Sequence, residues 1–145
     1  MATSDGIDAR DWEVIGDLAV AVVNRSREGG DASLDRKRLL RALDKLEKKY
    51  GRLPSILSTR ADYVDDFEVS LSLLKEAYVT ASERSDAKNK AFISSTLSEM
   101  YLETFQRKDL ARFWLGLFRK DLESYSKDEY LQKLCAELSD CLSEV

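Results

Sequence analysis

Histidine is missing altogether from this 145-residue chain. Its absence removes the chemistries that need an imidazole: Ser-His-Asp and Cys-His activation of a nucleophile, His-ligated zinc, and the Glu-x-x-His di-iron sites of helix bundles. Proline occurs once and glycine six times, with only Asn24 and Asn89 as asparagines. That is too little turn chemistry for a β-sandwich or barrel of this length, which leaves long helices. No apolar run is longer than the stretch from Leu18 to Val23, far short of the ~20 residues that span a bilayer. The two cysteines, Cys135 and Cys141, lie roughly 120° apart around one expected helix and about 9 Å along it, too divergent to bridge. They read as small apolar residues of a reducing compartment. The N-terminal residues are acidic where a signal peptide would be basic, so a cytoplasmic protein is expected, with no membrane contact.

What is present is a core and a great deal of charge. With 43% apolar residues the chain is expected to bury the core of a single domain, residues 1–145. The formal charge is −4 and unevenly spread, because residues 35–52 carry eight basic groups against three acidic ones. Arg38, Arg41, Lys45, Lys48, Lys49 and Arg52 recur at helical spacing and line one face. A phosphate-binding face is one reading of such a row. A solvated face opposite Leu39, Leu43 and Leu46 is the plainer one. Interleaved Asp44 and Glu47, the acidic remainder and the lack of nearby aromatics disfavour nucleic acid as a partner.

Seven helices can be drawn from periodicity and punctuation. The first runs from about Ala9 to Asn24 with Trp12, Ile15, Ala19, Val22 and Val23 inward, and stops before Gly29-Gly30. Ser33 is expected to cap the second, which ends at Gly51. Pro54 suits the first turn of a third, about Leu53 to Val64. Asp65 or Asp66 caps the fourth, about Phe67 to Glu83. The polar stretch Ser85 to Lys90 is a loop or the exposed start of the fifth, which reaches about Phe105. The sixth, about Lys108 to Tyr125, is the most apolar, with Leu110, Phe113, Trp114, Leu117 and Phe118 expected in the core. Ser126 or Asp128 opens the seventh, whose Leu131, Leu134, Leu138 and Leu142 form a narrow seam. Short connections make neighbouring helices antiparallel hairpins.

These hairpins carry a weak internal repeat. In residues 51–84, Leu57 and Ser58 form a large-small pair, Ala61 follows, and Ser70, Leu74 and Ala77 give a small-large-small pattern in the next helix. Leu97, Ser98 and Tyr101 stand forty residues on at the first-helix positions, while Leu110 and Leu117 occupy second-helix positions where small residues are expected. Trp12, Ile15, Gly16 and Ala19 supply a third instance. The pattern resembles the tetratricopeptide repeat (TPR), in degenerate form. The resemblance implies an all-α right-handed solenoid of hairpins, residues 9–50, 51–84 and 91–124, closed by a capping helix over residues 127–143.

The resemblance also implies a concave groove lined by the first helix of each repeat. Carried onto this chain, its positions include Asp17; Arg52, Ser55, Thr59, Asp62 and Tyr63; and Phe92, Ser95, Glu99, Leu102 and Glu103. The Lys and Asn clamp with which the family's chaperone-tail binders hold a carboxylate is absent. The expected function is that of a non-catalytic adaptor or chaperone-like module holding a basic or amphipathic protein segment. Tyr63 and Phe92 would serve as anchors, with Asp62, Glu99 and Glu103 supplying charge. The plain alternative makes Glu99 and Glu103 an exposed i, i+4 pair and Phe92 a core residue. A second functional reading has the chain dimerise through the leucine seam of its last helix. No cofactor or metal is called for: the acidic group Asp62, Asp65, Asp66 and Glu68 lacks the glycine and spacing of a calcium loop and reads as capping. Without a phosphate loop or a nucleophile motif, no enzyme is expected.

Overall fold

The computed structural model describes residues 3–143. It is all-α: α1 (Ala9–Arg27), α2 (Ser33–Tyr50), α3 (Pro54–Tyr63), α4 (Phe67–Glu83), α5 (Ala87–Glu103), α6 (Lys108–Glu123) and α7 (Glu129–Ser143), with no strand among the described residues. The chain forms two compact units, Met1–Leu73 and Leu74–Val145, with the boundary inside α4.

Local chemistry sets the helix ends. Asp8 starts α1 by accepting from the Arg10 amide at 2.9 Å, and α1 runs one turn past the expected stop. At α2 the capping oxygen belongs to Asp31 rather than Ser33, because the Asp31 carboxylate accepts from both the amide and the hydroxyl of Ser33 at 2.9 and 2.6 Å. Gly51 ends that helix at φ +89°, a conformation that favours a residue without Cβ. Asp66, not Asp65, caps α4, and Asp128, not Ser126, caps α7. Asp86 resolves the ambiguous polar stretch by capping α5 at Asn89.

In the first unit α2 packs against both α1 and α3. Ile7, Ile15, Leu39, Leu43, Leu46, Leu53 and Ile56 make one buried cluster. Ile7 lies ahead of any helix, and it is held there by Asp5. The N-terminus of α3 has no side-chain cap of its own. The buried Asp5 carboxylate supplies one from fifty residues away, accepting from the Ser55 amide at 2.7 Å and the Ser55 hydroxyl at 2.9 Å. An acid placed at exposed helix amides is favoured by their partial positive charge.

In the second unit α5 packs on α6, and α7 packs on both. Ala91, Ser94, Ser95 and Ser98 give α5 a buried face of small residues. The Ser98 hydroxyl there donates to the Ala111 carbonyl of α6 at 2.9 Å. The small contact on α6 is thus Ala111, one position beyond Leu110, which is half-buried like Leu117. Phe113, expected in the core, is 59% exposed and stands edge-on to the buried Trp114. The α7 seam is spent inside the unit: Leu131, Leu134, Leu138 and Leu142 are all buried, each worth roughly 1.5–3 kcal/mol of transfer from water. It therefore offers no free leucine face to a second copy.

The described helices do not display a TPR-like repeat. In the first unit α2 lies against both of its neighbours, and the α1 to α3 contact that would align two first helices is not among the packed pairs of the described residues.

Candidate functional site

The expected groove residues separate into distinct local settings. In the first unit Asp17 is an exposed residue of α1, whereas the others lie on α3 or just before it, and α1 and α3 are not a packed pair among the described residues. Ser55 is buried and committed to Asp5. Arg52 is exposed and donates to Glu47 at 3.3 Å. Thr59 is half-buried, and Tyr63 packs on the core cluster. Asp62 is an exposed residue, yet crowding around its carboxyl pushes its pKa up to about 6. Solvent at the exposed side screens part of that cost. Burial, with Asp62 alongside, also raises the Tyr63 phenol.

In the second unit Ser95 is a core residue and no part of a surface, its hydroxyl turned onto the Phe92 carbonyl at 2.7 Å. Phe92 is half-buried against the ring of Tyr125, the two centroids 6.3 Å apart, and Leu102 is half-buried. Glu99 and Glu103 are one helical turn apart on α5, and α7 brings Glu137 and Tyr130 beside them. Partial burial is the first cause that raises Glu99 above the ordinary glutamate value, and repulsion from Glu103 and Glu137 adds to it. Tyr130 is raised by desolvation and then by Glu99 and Glu137, although its ring is 62% exposed. None of the three glutamates has a cation partner among the described ion pairs. The result is a face on which Glu103 and Glu137 crowd the charge of Glu99, with an exposed aromatic ring beside them.

The basic row behaves differently along its length. Lys49 holds Asp11 at 2.8 Å and Arg36 holds Asp65 at 2.7 Å. Lys49 and then Tyr50 keep the Asp11 carboxyl below its ordinary value. Arg60, largely covered, draws in Asp44 at 2.9 Å and Glu47 at 3.4 Å. The acids interleaved on α2 are therefore already neutralised from α3. Arg38, Arg41, Lys45 and Lys48 stay exposed, without an ion pair among those described.

A third polar feature is a 280 Å³ recess in the second unit, lined by Ser82, Ser85, Ala87, Lys90, Asp121 and Ser124. Its charge is internally balanced. Buried Asp121 accepts from Tyr78 at 2.8 Å and faces Lys90 at 3.5 Å, and burial followed by that hydrogen bond pushes the Tyr78 phenol far up. No group of three or more acids or cysteines among the described residues is arranged to hold a metal ion. No helix is long and apolar enough to cross a membrane.

The sequence brings Glu99 and Glu103 forward but not Glu137 and Tyr130, because the last helix is read for its leucine seam, as a cap or a dimer contact, and not for its polar side. Their position one turn either side of Leu134 is readable, but which helix they stand beside is a tertiary fact. No protein-family model matches the chain, and no match was found among curated proteins or solved structures.

Proposed function

We propose that the protein is a non-catalytic binding module, adaptor or chaperone-like, that holds a basic protein segment against the α5–α7 face. The observation that carries this reading is the half-buried Glu99, flanked by Glu103 and Glu137 and left without a cation. A lysine or arginine placed there relieves repulsion that the fold leaves standing, and the Tyr130 ring offers a surface over which a guanidinium can stack. The finer reading of the helices as stacked antiparallel hairpins belongs to the same proposal. It draws support from two close crossings, Ser70 donating to the Ala61 carbonyl at 2.8 Å and Ser98 to that of Ala111. The free thiols of Cys135 and Cys141 suit a reducing, intracellular setting.

Fluorescence anisotropy with a labelled helix-forming peptide bearing Lys and Arg at i, i+3 and i+4 tests the reading. Exposed ion pairs contribute up to about 1 kcal/mol each, so Glu99→Gln with Glu137→Gln is expected to weaken binding several-fold. Equal affinity for the wild-type and substituted proteins would remove the α5–α7 face from consideration.

A further inference from the structure

One chain carries two unneutralised surfaces of opposite charge. Arg38, Arg41, Lys45 and Lys48 follow one another at steps of three, four and three residues, so they stand on one side of α2, about 4.5–6 Å apart along its axis. The acids that would compensate them, Asp44 and Glu47, are held by Arg60. On α5, Glu99 and Glu103 are four residues, about 6 Å, apart along the helix, with Glu137 across from them on α7. The two spacings match.

We infer that the protein self-associates head to tail, the α2 row of one copy seated on the α5–α7 acidic face of the next. This rests on the acidic face being a receptor for basic segments, and it names the segment. Two successive cations of the row meet Glu99 and Glu103 while a third meets Glu137, and an arginine of the row can lie over Tyr130. The two patches differ, so the contact is heterologous and each pairing leaves one free face of each kind, which lets assembly continue. Nucleic acid fits the row less well, since the protein carries 27 acidic against 23 basic groups and no exposed aromatic ring lies along the row for bases to stack on.

Sedimentation velocity on the full chain decides it. The weight-average mass is expected to rise at least twofold between about 10 μM and about 1 mM protein at ~20 mM salt, and to fall back to the monomer at ~0.5 M salt. Two neutralised variants sharpen the test. Arg38→Gln/Arg41→Gln/Lys45→Gln/Lys48→Gln and Glu99→Gln/Glu103→Gln/Glu137→Gln are each expected to stay monomeric. An equimolar mixture should form pairs and stop there, because each variant keeps one complementary face. The substituted side chains are exposed or half-buried, and far-UV circular dichroism confirms the fold. A wild-type chain that stays monomeric while still binding the basic peptide overturns self-association and leaves the acidic receptor face intact, whereas loss of both overturns both. Association that persists in either variant alone, or a monomer whose basic row binds a DNA duplex instead, also overturns it.

Discussion

Asp5 shows how much one side chain can decide. Its carboxylate replaces the missing cap of α3 and pins the segment that carries Ile7 into the core. Removing a buried acceptor strands the Ser55 donors, so Asp5→Ala is expected to cost about 1–3 kcal/mol in urea unfolding. The exposed cap substitution Asp8→Ala should cost no more than about 1 kcal/mol. Asp62 is expected to act in the opposite sense. Its folded-state pKa lies above the ordinary 3.8, at about 6, so the folded protein holds that proton more tightly than the unfolded chain. The stability this gives is complete below the ordinary value and lost as pH rises through the folded one. Asp62→Asn should therefore raise the urea midpoint at neutral pH and leave it unchanged in acid below the ordinary aspartate value. An unchanged midpoint at neutral pH would show that water reaches the carboxyl freely.

At the scale of the helix, periodicity was a good guide to which elements form and a poorer one to which face is covered. Pro54 at the start of α3 and Gly51 at the end of α2 fall where the sequence places them, because backbone conformation there is dictated by residue type. Phe113 does not, because α6 buries Ala111, Trp114, Leu115, Phe118 and Leu122, a stripe rotated from the one that counting leucines and aromatics suggests. The rotation follows from the close approach of α5 to α6 at Ser98 and Ala111, which only a small side chain permits. Ala111→Leu is accordingly expected to destabilise by about 1–3 kcal/mol through overpacking. Phe113→Ala should have a much smaller effect, and calorimetry on the two variants separates these outcomes. On α7 the leucine seam serves the interior of its own unit. Leu138→Ala should cost about 2–5 kcal/mol in unfolding free energy, with no change in sedimentation that tracks loss of a dimer.

For the whole molecule the informative quantity is where charge is left over. A net charge of −4 hides a basic row on α2, whose interleaved acids Asp44 and Glu47 are held by Arg60, and an acidic face on α5 and α7. Binding at the acidic face should carry a pH signature. Glu99 is raised in the free protein and a bound cation favours its ionised form, so protons compete with the ligand. Affinity for the basic peptide is expected to fall as the solution is acidified from neutral, beginning above the pH at which an ordinary glutamate protonates. Glu99→Gln should flatten that onset, as read by anisotropy across a pH series.

The amino-acid order alone settled the helical class, the seven helices of the described residues and most of their ends. Those follow from local propensity, apolar period and capping, all of which act within a few residues. It also brought Glu99 and Glu103 forward as partners, because a helical turn is a local distance. The addition of Glu137 and Tyr130 to that pair came only with the tertiary structure. So did the burial of Ser95 and Ser55, the cap that Asp5 gives to α3 and the internal use of the α7 leucines. Each of these depends on residues far apart in the chain being brought together, where burial and unpaired charge are properties of neighbours that spacing does not specify.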